Sequence, residues 1–487
     1  MASADDLVPD RKNRNQTIFQ KIKHKLPQIL SSILAANGAF VFGTNIGWSS
    51  QSYRYLVQKK EYPFSVSKEQ FSWISSVLAL GALLGGLLGG PIVNGFGRKG
   101  TILLTVLPFL FGWFLIIFAV RVYMFYAGRV VLGVCCGIFT VAVPIYIGEI
   151  SEKDIRGSLG GLFQLLIVLG IAFAYGIGSV ANVMTTSIVL LTVPLAFLIP
   201  SFFMPETPTY LVSAGRTEKA RASLRYLYGE DCDEEGYLDE LVANVQENKH
   251  ITTLSVWKEL DKFVVLYALC ISLGLQFFQQ LSGINVIIFY SEDLFAKSSS
   301  SISSNLAAAL VSIIQIIATA LALSTVDRTG RKVLLIVSAI IMTICTSLLG
   351  VYFYLQKHDK DTFKGIPQSV PILLVSIYIA AFSFGLGPVP WILLGELFTP
   401  ASKGLACGMS VSFNWLLTFI VTKTYVNIED WMGIAATFWL FAGLTALGAI
   451  FFAVIVVETK ELTLKEVLEK LEKRKDRLRK IFCMRTS

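Results

Sequence analysis

Six neutral amide side chains lie inside long apolar stretches of the chain. Amides donate and accept hydrogen bonds without the cost of burying a charge, so together they can bind an uncharged ligand rich in hydroxyl groups. A single amide can equally hold two helices together. The grouping of three of them around Gly283, where a helix can break, favours a binding site. The candidate residues are Gln164, Gln279, Gln280, Asn285, Gln315 and Asn414.

A tryptophan follows the run Gly387-Pro388-Val389-Pro390, which cannot form a regular helix. The indole of Trp391 is therefore expected at a kink that lines a cavity, where it would offer a flat apolar wall to the same ligand. The alternative is that Trp391 anchors the chain at a membrane interface.

The elements that must position these side chains are membrane-spanning helices. Of the 487 residues, 54% are hydrophobic and only 16% are charged, so a large apolar surplus must face lipid. The apolar residues fall into twelve blocks, and each is long enough to cross a hydrocarbon core of about 30 Å. The blocks cover approximately residues 28–48, 72–96, 101–120, 124–147, 158–179, 183–204, 263–290, 305–326, 333–355, 370–394, 404–426 and 432–457.

Basic clusters follow the even-numbered blocks and fill the C-terminal tail, which predicts that both termini are cytoplasmic. The formal net charge of +8 is thereby explained by membrane topology, and no nucleic-acid partner is predicted. We expect an all-α membrane protein of two six-helix halves. Its predicted parts are a cytoplasmic N-terminus (1–27), a first six-span half (28–204), a cytoplasmic helical linker (205–262), a second six-span half (263–457) and a cytoplasmic tail (458–487).

The long linker is expected to form an ordered cap, because Leu211, Leu224 and Leu227 give its short helices apolar faces. A loose linker is the alternative. In the tail, apolar residues at three- and four-residue spacing predict a helix between Leu462 and Arg479.

Two short charged patterns occur once in each half and in the same order, which indicates an internal repeat. Acidic and basic residues at these span ends can pair and form a gate on the cytoplasmic face, although the basic residues alone would also set the topology. The charged residues of these patterns are Arg98, Glu149 and Arg156 in the first half, and Arg328, Arg331, Glu396 and Lys403 in the second.

The chain resembles the sugar porters of the major facilitator superfamily from end to end. Within that family it looks most like insect facilitated trehalose transporters and the short-loop facilitative glucose transporters of animals. The motifs that carry the resemblance are Gly97-Arg-Lys99, Pro144-Ile-Tyr-Ile-Gly-Glu149, Pro205-Glu-Thr-Pro208, Gln279-Gln-Leu-Ser-Gly-Ile-Asn285, Asp327-Arg-Thr-Gly-Arg331, Gly387-Pro-Val-Pro-Trp391 and Glu458-Thr-Lys460.

The resemblance implies the twelve-span major facilitator fold and transport by alternating access. It assigns sugar contacts to Gln164, Gln279, Gln280, Asn285, Trp391 and Asn414, with Trp415 as a neighbouring aromatic and Gln315 where glucose transporters often carry Asn. It also adds Glu206 and Glu458 to the predicted gate charges. Thr209, Val457 and Glu461 depart from the usual motifs.

Concentrative members of this family carry an Asp in the first span, and this chain has Asn45 there. Because Asn cannot titrate, we expect a uniporter of a hexose such as glucose or of the disaccharide trehalose. A proton-coupled symporter and a non-transporting sugar sensor are the alternatives.

Chemistry beyond transport is not expected. The three histidines are far apart in sequence, and no nucleophile and base lie at catalytic spacing, so we predict no metal, no cofactor and no enzymatic activity. The seven cysteines imply no disulfide framework. The expected partners are a small neutral sugar and the lipid bilayer of the plasma membrane, and one chain is sufficient for transport.

Overall fold

The protein is described here by a computed structural model, which covers residues 18–59, 62–229, 233–249, 263–298, 303–398, 400–460, 462 and 465–473, some of them without their side chains. Helices make up nearly all of these residues.

Six long helices form the first half, and α1 continues into a π-helical turn, Arg54–Lys59. Local capping fixes some of their ends: Ser67 and Gln70 form a capping box at the start of α2, and the Asn182 side chain accepts a hydrogen bond from the backbone of Thr185 in α6. The helices are α1 (Ile18–Tyr53), α2 (Lys68–Phe96), α3 (Arg98–Ile117), α4 (Val122–Ile150), α5 (Lys153–Val180) and α6 (Val183–Ser201).

The described part of the joint between the halves contains three short helices: α7 (Pro208–Ser213), α8 (Thr217–Tyr228) and α9 (Glu234–Lys249). Leu211, Leu224 and Leu227 are buried in the structure, and α8 packs against α1. We call the side of the bundle that carries α7–α9 the cap face, and the opposite side the far face. Residues 465–473 form a further helix with Val467 and Leu471 buried, whereas the predicted end of this helix at Arg479 lies outside the described residues.

The second half contains two interrupted crossings. Gly283, at φ 86°, separates α10 from α11, and a turn at residues 385–388 separates α16 from α17. The helices are α10 (Phe263–Leu281), α11 (Ile284–Phe289), α12 (Ser291–Lys297), α13 (Ser304–Thr329), α14 (Arg331–His358), α15 (Lys360–Phe363), α16 (Val370–Phe384), α17 (Val389–Glu396) and α18 (Pro400–Val454).

Eleven apolar helical segments in the described part of the chain are long enough to cross a membrane. The last, Gly404–Val454, has 51 residues, whereas one crossing needs about 20. Its backbone breaks at Gly433, at φ 83°, so α18 comprises two crossings, which brings the number in the described residues to twelve. The joint predicted between the last two blocks ended at residue 431. In the structure the break lies at Gly433, because glycine adopts a positive φ at little cost.

The predicted seventh block, residues 263–290, agrees with the apolar segment Val264–Phe289. After Tyr290 the chain continues as α12, which buries Glu292 and Asp293. Their charges suggest a solvated loop, but tertiary packing covers them.

Close helix approach depends on small residues. A Cβ on Gly85 of α2 would lie 2.0 Å from the carbonyl oxygen of Val134 in α4, so only glycine permits this packing. Between the halves, α2 packs on α18, and α5 packs on α13.

Polar contacts between the halves concentrate near the far face. The backbone N–H of Glu292 donates to Ser50 Oγ at 3.1 Å, Tyr175 Oη donates to the carbonyl of Ile288, and Lys423 Nζ lies 2.7 Å from Glu69 Oε1. The far face is therefore closed in this structure.

Candidate functional site

Gln279 is the centre of a buried amide cluster. Its Oε1 accepts a hydrogen bond from Asn414 Nδ2 at 2.9 Å, and its Nε2 donates to the carbonyls of Leu386 at 2.6 Å and Gly387 at 3.1 Å. These carbonyls are free because the α16–α17 turn interrupts the helix. Gln279 thus joins α10, α18 and the interrupted crossing.

A second amide pair spans the break at Gly283. Asn285 Nδ2 donates to Gln280 Oε1 at 2.5 Å and lies 3.4 Å from Thr418 Oγ1. Gln280 is buried and Asn285 is half-buried. The left-handed backbone of Gly283 turns the chain so that these two amides meet.

Gln276 also belongs to this cluster, and the sequence analysis missed it. It is fully buried, and its Oε1 accepts a hydrogen bond from Asn414 Nδ2 at 2.6 Å, while its Nε2 has no hydrogen-bond partner in the described part of the chain. The signal was present, because Gln276 lies three residues before Gln279 and therefore on the same helix face.

The two predicted tryptophans occupy different environments. Trp391 lies in the first turn of α17 and is 37% exposed. Trp415 is 8% exposed, with its ring centroid 5.6 Å from that of Phe42 on α1, so it contacts both halves. Its indole N–H has no hydrogen-bond partner among the described residues.

Gln164 and Gln315 lie on the two helices that pack together between the halves, α5 and α13. Gln164 is half-buried and Gln315 is buried. Within the described ranges, no hydrogen bond joins either of them to the Gln279 cluster.

Asn45 and Arg129 form a second polar centre inside the first half. Asn45 Nδ2 donates to the carbonyl of Val41 at 2.7 Å. The fully buried Arg129 of α4 donates to the carbonyls of Asn45 at 2.8 Å and Ile74 at 3.2 Å, and to Ser49 Oγ at 2.5 Å. Backbone and hydroxyl oxygens thus solvate this guanidinium. The sequence analysis missed Arg129 because it stands alone in the apolar block 124–147.

On the cap face, two ion pairs occupy equivalent places in the two halves. Arg98 Nη2 lies 2.7 Å from Glu149 Oε1, and Arg331 Nη2 lies 2.9 Å from Glu396 Oε1. Each pair is contained within one half. The repeated sequence patterns therefore produce repeated contacts, while the gate that we expected on the cytoplasmic face stays a prediction.

Glu206 and Glu458 receive backbone hydrogen bonds at helix starts. Glu206 accepts from the N–H groups of Arg98 and Lys99 in α3, and Glu458 accepts from those of Arg331 and Lys332 in α14, all at 3.0 to 3.1 Å. Burial alone would raise the pKa of the Glu458 carboxyl, but four backbone N–H donors outweigh it and hold this pKa below the ordinary value.

The remaining predicted gate residues have other surroundings. Arg156 donates to the carbonyl of Ser151 at 3.0 and 3.2 Å, and the carbonyl of Arg328 accepts from Lys460 Nζ at 2.8 Å. The Lys403 side chain lies outside the described residues.

Three comparisons with known proteins agree with this architecture. The family model "Sugar (and other) transporter" matches residues 31–471. The chain is 38% identical over 470 residues to a facilitated trehalose transporter of Bombyx mori, covering 96% of this chain and 92% of the relative. A Drosophila pseudoobscura relative of the same description is 36% identical, and the chain spans only 52% of its length.

Among solved structures, the inward-open conformation of the xylose transporter XylE from E. coli is similar, with a TM-score of 0.74 and 25% identity over 90% of this chain and 98% of that one. The chain therefore belongs to the sugar transporter family, within the major facilitator superfamily.

Proposed function

We propose that this protein is a uniporter that carries a small neutral sugar across the plasma membrane by alternating access. The observation that supports this most is the neutral amide cluster of Gln279, Gln280, Asn285 and Asn414 at two interrupted helices. Because relatives are described as facilitated trehalose transporters, trehalose is the first substrate to test and glucose the second.

The sugar would replace hydrogen bonds that the cluster now makes internally. Its hydroxyl groups would bond to the amides of the cluster, and Trp391 and Trp415 would cover its C–H faces. Gln164 and Gln315, from α5 and α13, would complete the contacts. Amides that already hold one another in place lose little conformational freedom on binding, which favours affinity.

Movement of the halves would expose this site to each side in turn. The far-face contacts of Ser50, Tyr175 and Lys423 would break when that face opens. The cap face would be cytoplasmic, since the basic residues at α3 and α14 lie there. Its charged residues, Arg98, Arg156, Glu206, Arg328, Lys403 and their partners, would then approach across the halves when the cap face closes.

Uniport is proposed because Asn45 stands where coupled relatives have a carboxylate. Its side chain donates to the backbone of its own helix, and its neighbour Arg129 is satisfied by carbonyl and hydroxyl oxygens. Neither arrangement needs a proton to be taken up or released during the cycle.

The test is uptake of labelled trehalose and labelled glucose into proteoliposomes, with and without an imposed pH difference. We expect uptake that stops when the concentrations are equal on both sides. Accumulation driven by the pH difference would favour the symporter, and binding without flux would favour the sensor. The variant Gln368→Ala, which changes an exposed amide outside the cluster, should show the same uptake as the wild type.

A further inference from the structure

A buried glutamate near the far face has no direct hydrogen-bond partner for its carboxylate. Glu292, in α12, is 1% exposed, and neither of its side-chain oxygens has a hydrogen-bond partner in the ranges that the structure describes. It lies just beyond the apolar segment Val264–Phe289. A carboxylate buried in this way is strongly disfavoured, whereas a neutral carboxyl is tolerated.

The charged neighbours of Glu292 do not fully compensate the negative charge that its carboxylate would carry. Arg54 Nη1 is 3.9 Å from Glu292 Oε1, but Arg54 is 41% exposed. Lys297 is occupied, because its Nζ lies 2.5 Å from both Asp293 Oδ2 and Glu429 Oε1. The titratable and charged groups around this site are Tyr53, Arg54 and Lys59 from α1 and its π turn, Lys68 of α2, Asp293 and Lys297 of α12, and Glu429 and Asp430 of α18.

Burial raises the pKa of the Glu292 carboxyl to about 8 from the ordinary 4.5, since the opposing effect of Arg54 is smaller. The geometry gives the same direction independently, because the two oxygens are enclosed and unbonded. The carboxyl is therefore neutral over much of the physiological pH range while the far face is closed.

A path for a proton to Glu292 exists on the far-face side. A cavity of about 330 Å³ is lined by Glu292, Asp293, Arg54 and Gln58, and Gln58 is exposed to solvent. The backbone N–H of Glu292 contacts Ser50 of the other half, so closure of the far face is what buries this residue.

We propose that Glu292 is a proton-binding site that takes up a proton from the far-face solution whenever that face closes, and returns it to the same solution on opening. The proton is then a ligand of the closed state and is not transported. This inference rests on the proposed alternating access, because it needs a far face that opens.

Proton linkage determines whether low or high pH on the far side favours the closed state. When the face opens, water reaches Glu292 and its pKa returns towards 4.5, so the closed state holds the proton more tightly. Lower pH on the far side therefore favours closure and higher pH favours opening. Between the two pKa values, each pH unit changes the ratio of closed to open molecules by up to about tenfold.

The test measures opening without relying on sugar flux. Ser75 of α2 is fully buried, and Ser75→Cys would react with a membrane-impermeant maleimide when the far face opens. Gln368→Cys, at an exposed position before α16, measures how pH changes the reaction of a thiol with the maleimide, and the Ser75→Cys rate is corrected by it. Far-side pH is varied from 5.5 to about 8 in proteoliposomes whose inner pH is fixed.

We expect the corrected labelling rate of Ser75→Cys to fall several-fold as the far-side pH is lowered. The rate should not depend on the pH on the cap side. Adding Glu292→Gln, which mimics the neutral acid, should make labelling slow at every pH. Adding Arg54→Gln instead should move the midpoint to higher pH, an effect that loss of packing would not produce.

Labelling that does not depend on far-side pH, or that depends on it equally with Glu292→Gln, would overturn the proposal. If labelling follows pH as expected but no sugar crosses the membrane, the proton site stands and the proposed transport function fails.

Discussion

The backbone N–H of Arg98 lies 3.1 Å from Glu206 Oε1, so an acid from the end of the first half caps the first turn of α3. In the second half, Glu458 Oε1 accepts from the N–H of Arg331 at 3.0 Å in the same way. The first N–H groups of a helix lack helical partners and carry partial positive charge. A carboxylate accepts their hydrogen bonds and offsets that charge. The Gly-Arg-Lys sequence is repeated at the two helix starts, and a glutamate caps each of them.

Gly97→Ala should destabilise the protein. Gly97 has φ 84°, and a Cβ there would lie 2.3 Å from Glu206 Oε2. Backbone strain and a displaced cap together predict a loss of about 1–3 kcal/mol, seen as a lower melting temperature in detergent. Gly95→Ala is the matched control, since no atom lies within 4 Å of its new Cβ. Equal melting temperatures for the two variants would refute the capping interpretation.

Glu458→Gln should remove stability in a pH-dependent manner. The pKa of Glu458 is lowered in the folded protein, so its contribution is present above the ordinary value of 4.5 and is lost as pH falls through the lowered value. The wild type should exceed the variant by about 0.3–1 kcal/mol at pH 7, and this difference should vanish in acid. Melting curves across pH measure this, with the exposed Glu472→Gln as control. A difference that grows in acid would contradict the argument.

Hydropathy was enough to predict the spans, because a run of about 20 apolar residues is typical of a membrane-spanning helix. The repeat predicted that Arg98 would meet Glu149. The capping role of Glu206 could not be predicted, since it depends on which residues the folded chain brings to the start of α3. Glu292 was missed for a related reason, because a charge after an apolar block suggests solvent until the packing of α1 on α12 is known.

Asn414→Leu should weaken sugar transport. Asn414 donates to both Gln276 and Gln279, so the variant leaves two buried amide oxygens without this donor and removes a proposed sugar contact. At about 1 kcal/mol for each hydrogen bond, we expect KM for uptake to rise roughly 5- to 30-fold. Initial uptake rates in proteoliposomes measure it, and Met409→Leu, on the exposed side of the same helix, should behave as wild type. An unchanged KM would remove Asn414 from the site.

Asn45→Asp should make transport depend on pH. The backbone of Asn45 already accepts from Arg129 at 2.8 Å, so a carboxylate at this side chain would be buried near that guanidinium and would titrate during the cycle. Uptake by the wild type should change little when the pH on the cap side is varied, and uptake by the variant should change several-fold. The same response in both proteins would show that another group couples to protons.

Breaking the Lys423–Glu69 pair should favour opening of the far face. This pair joins α18 to α2 across the two halves at 2.7 Å, so it exists only while that face is closed. Lys423 also lies over the ring of Trp73 at 4.9 Å, so Lys423→Ala alone would lose both contacts. A double-mutant cycle with Lys423→Ala and Glu69→Ala separates them, because only the coupling between the two changes reports the ion pair.

We expect a coupling of about 0.2–1 kcal/mol, because Glu69 is 54% exposed and water weakens the attraction. The readout is the distance between spin labels on α2 and α18 near the far face. The pair of Lys364 and Asp361 lies within the connection between α14 and α16 on that face, so its cycle should give no coupling to opening. If both cycles gave the same value, the Lys423–Glu69 contact would be a surface pair with no part in closing the far face.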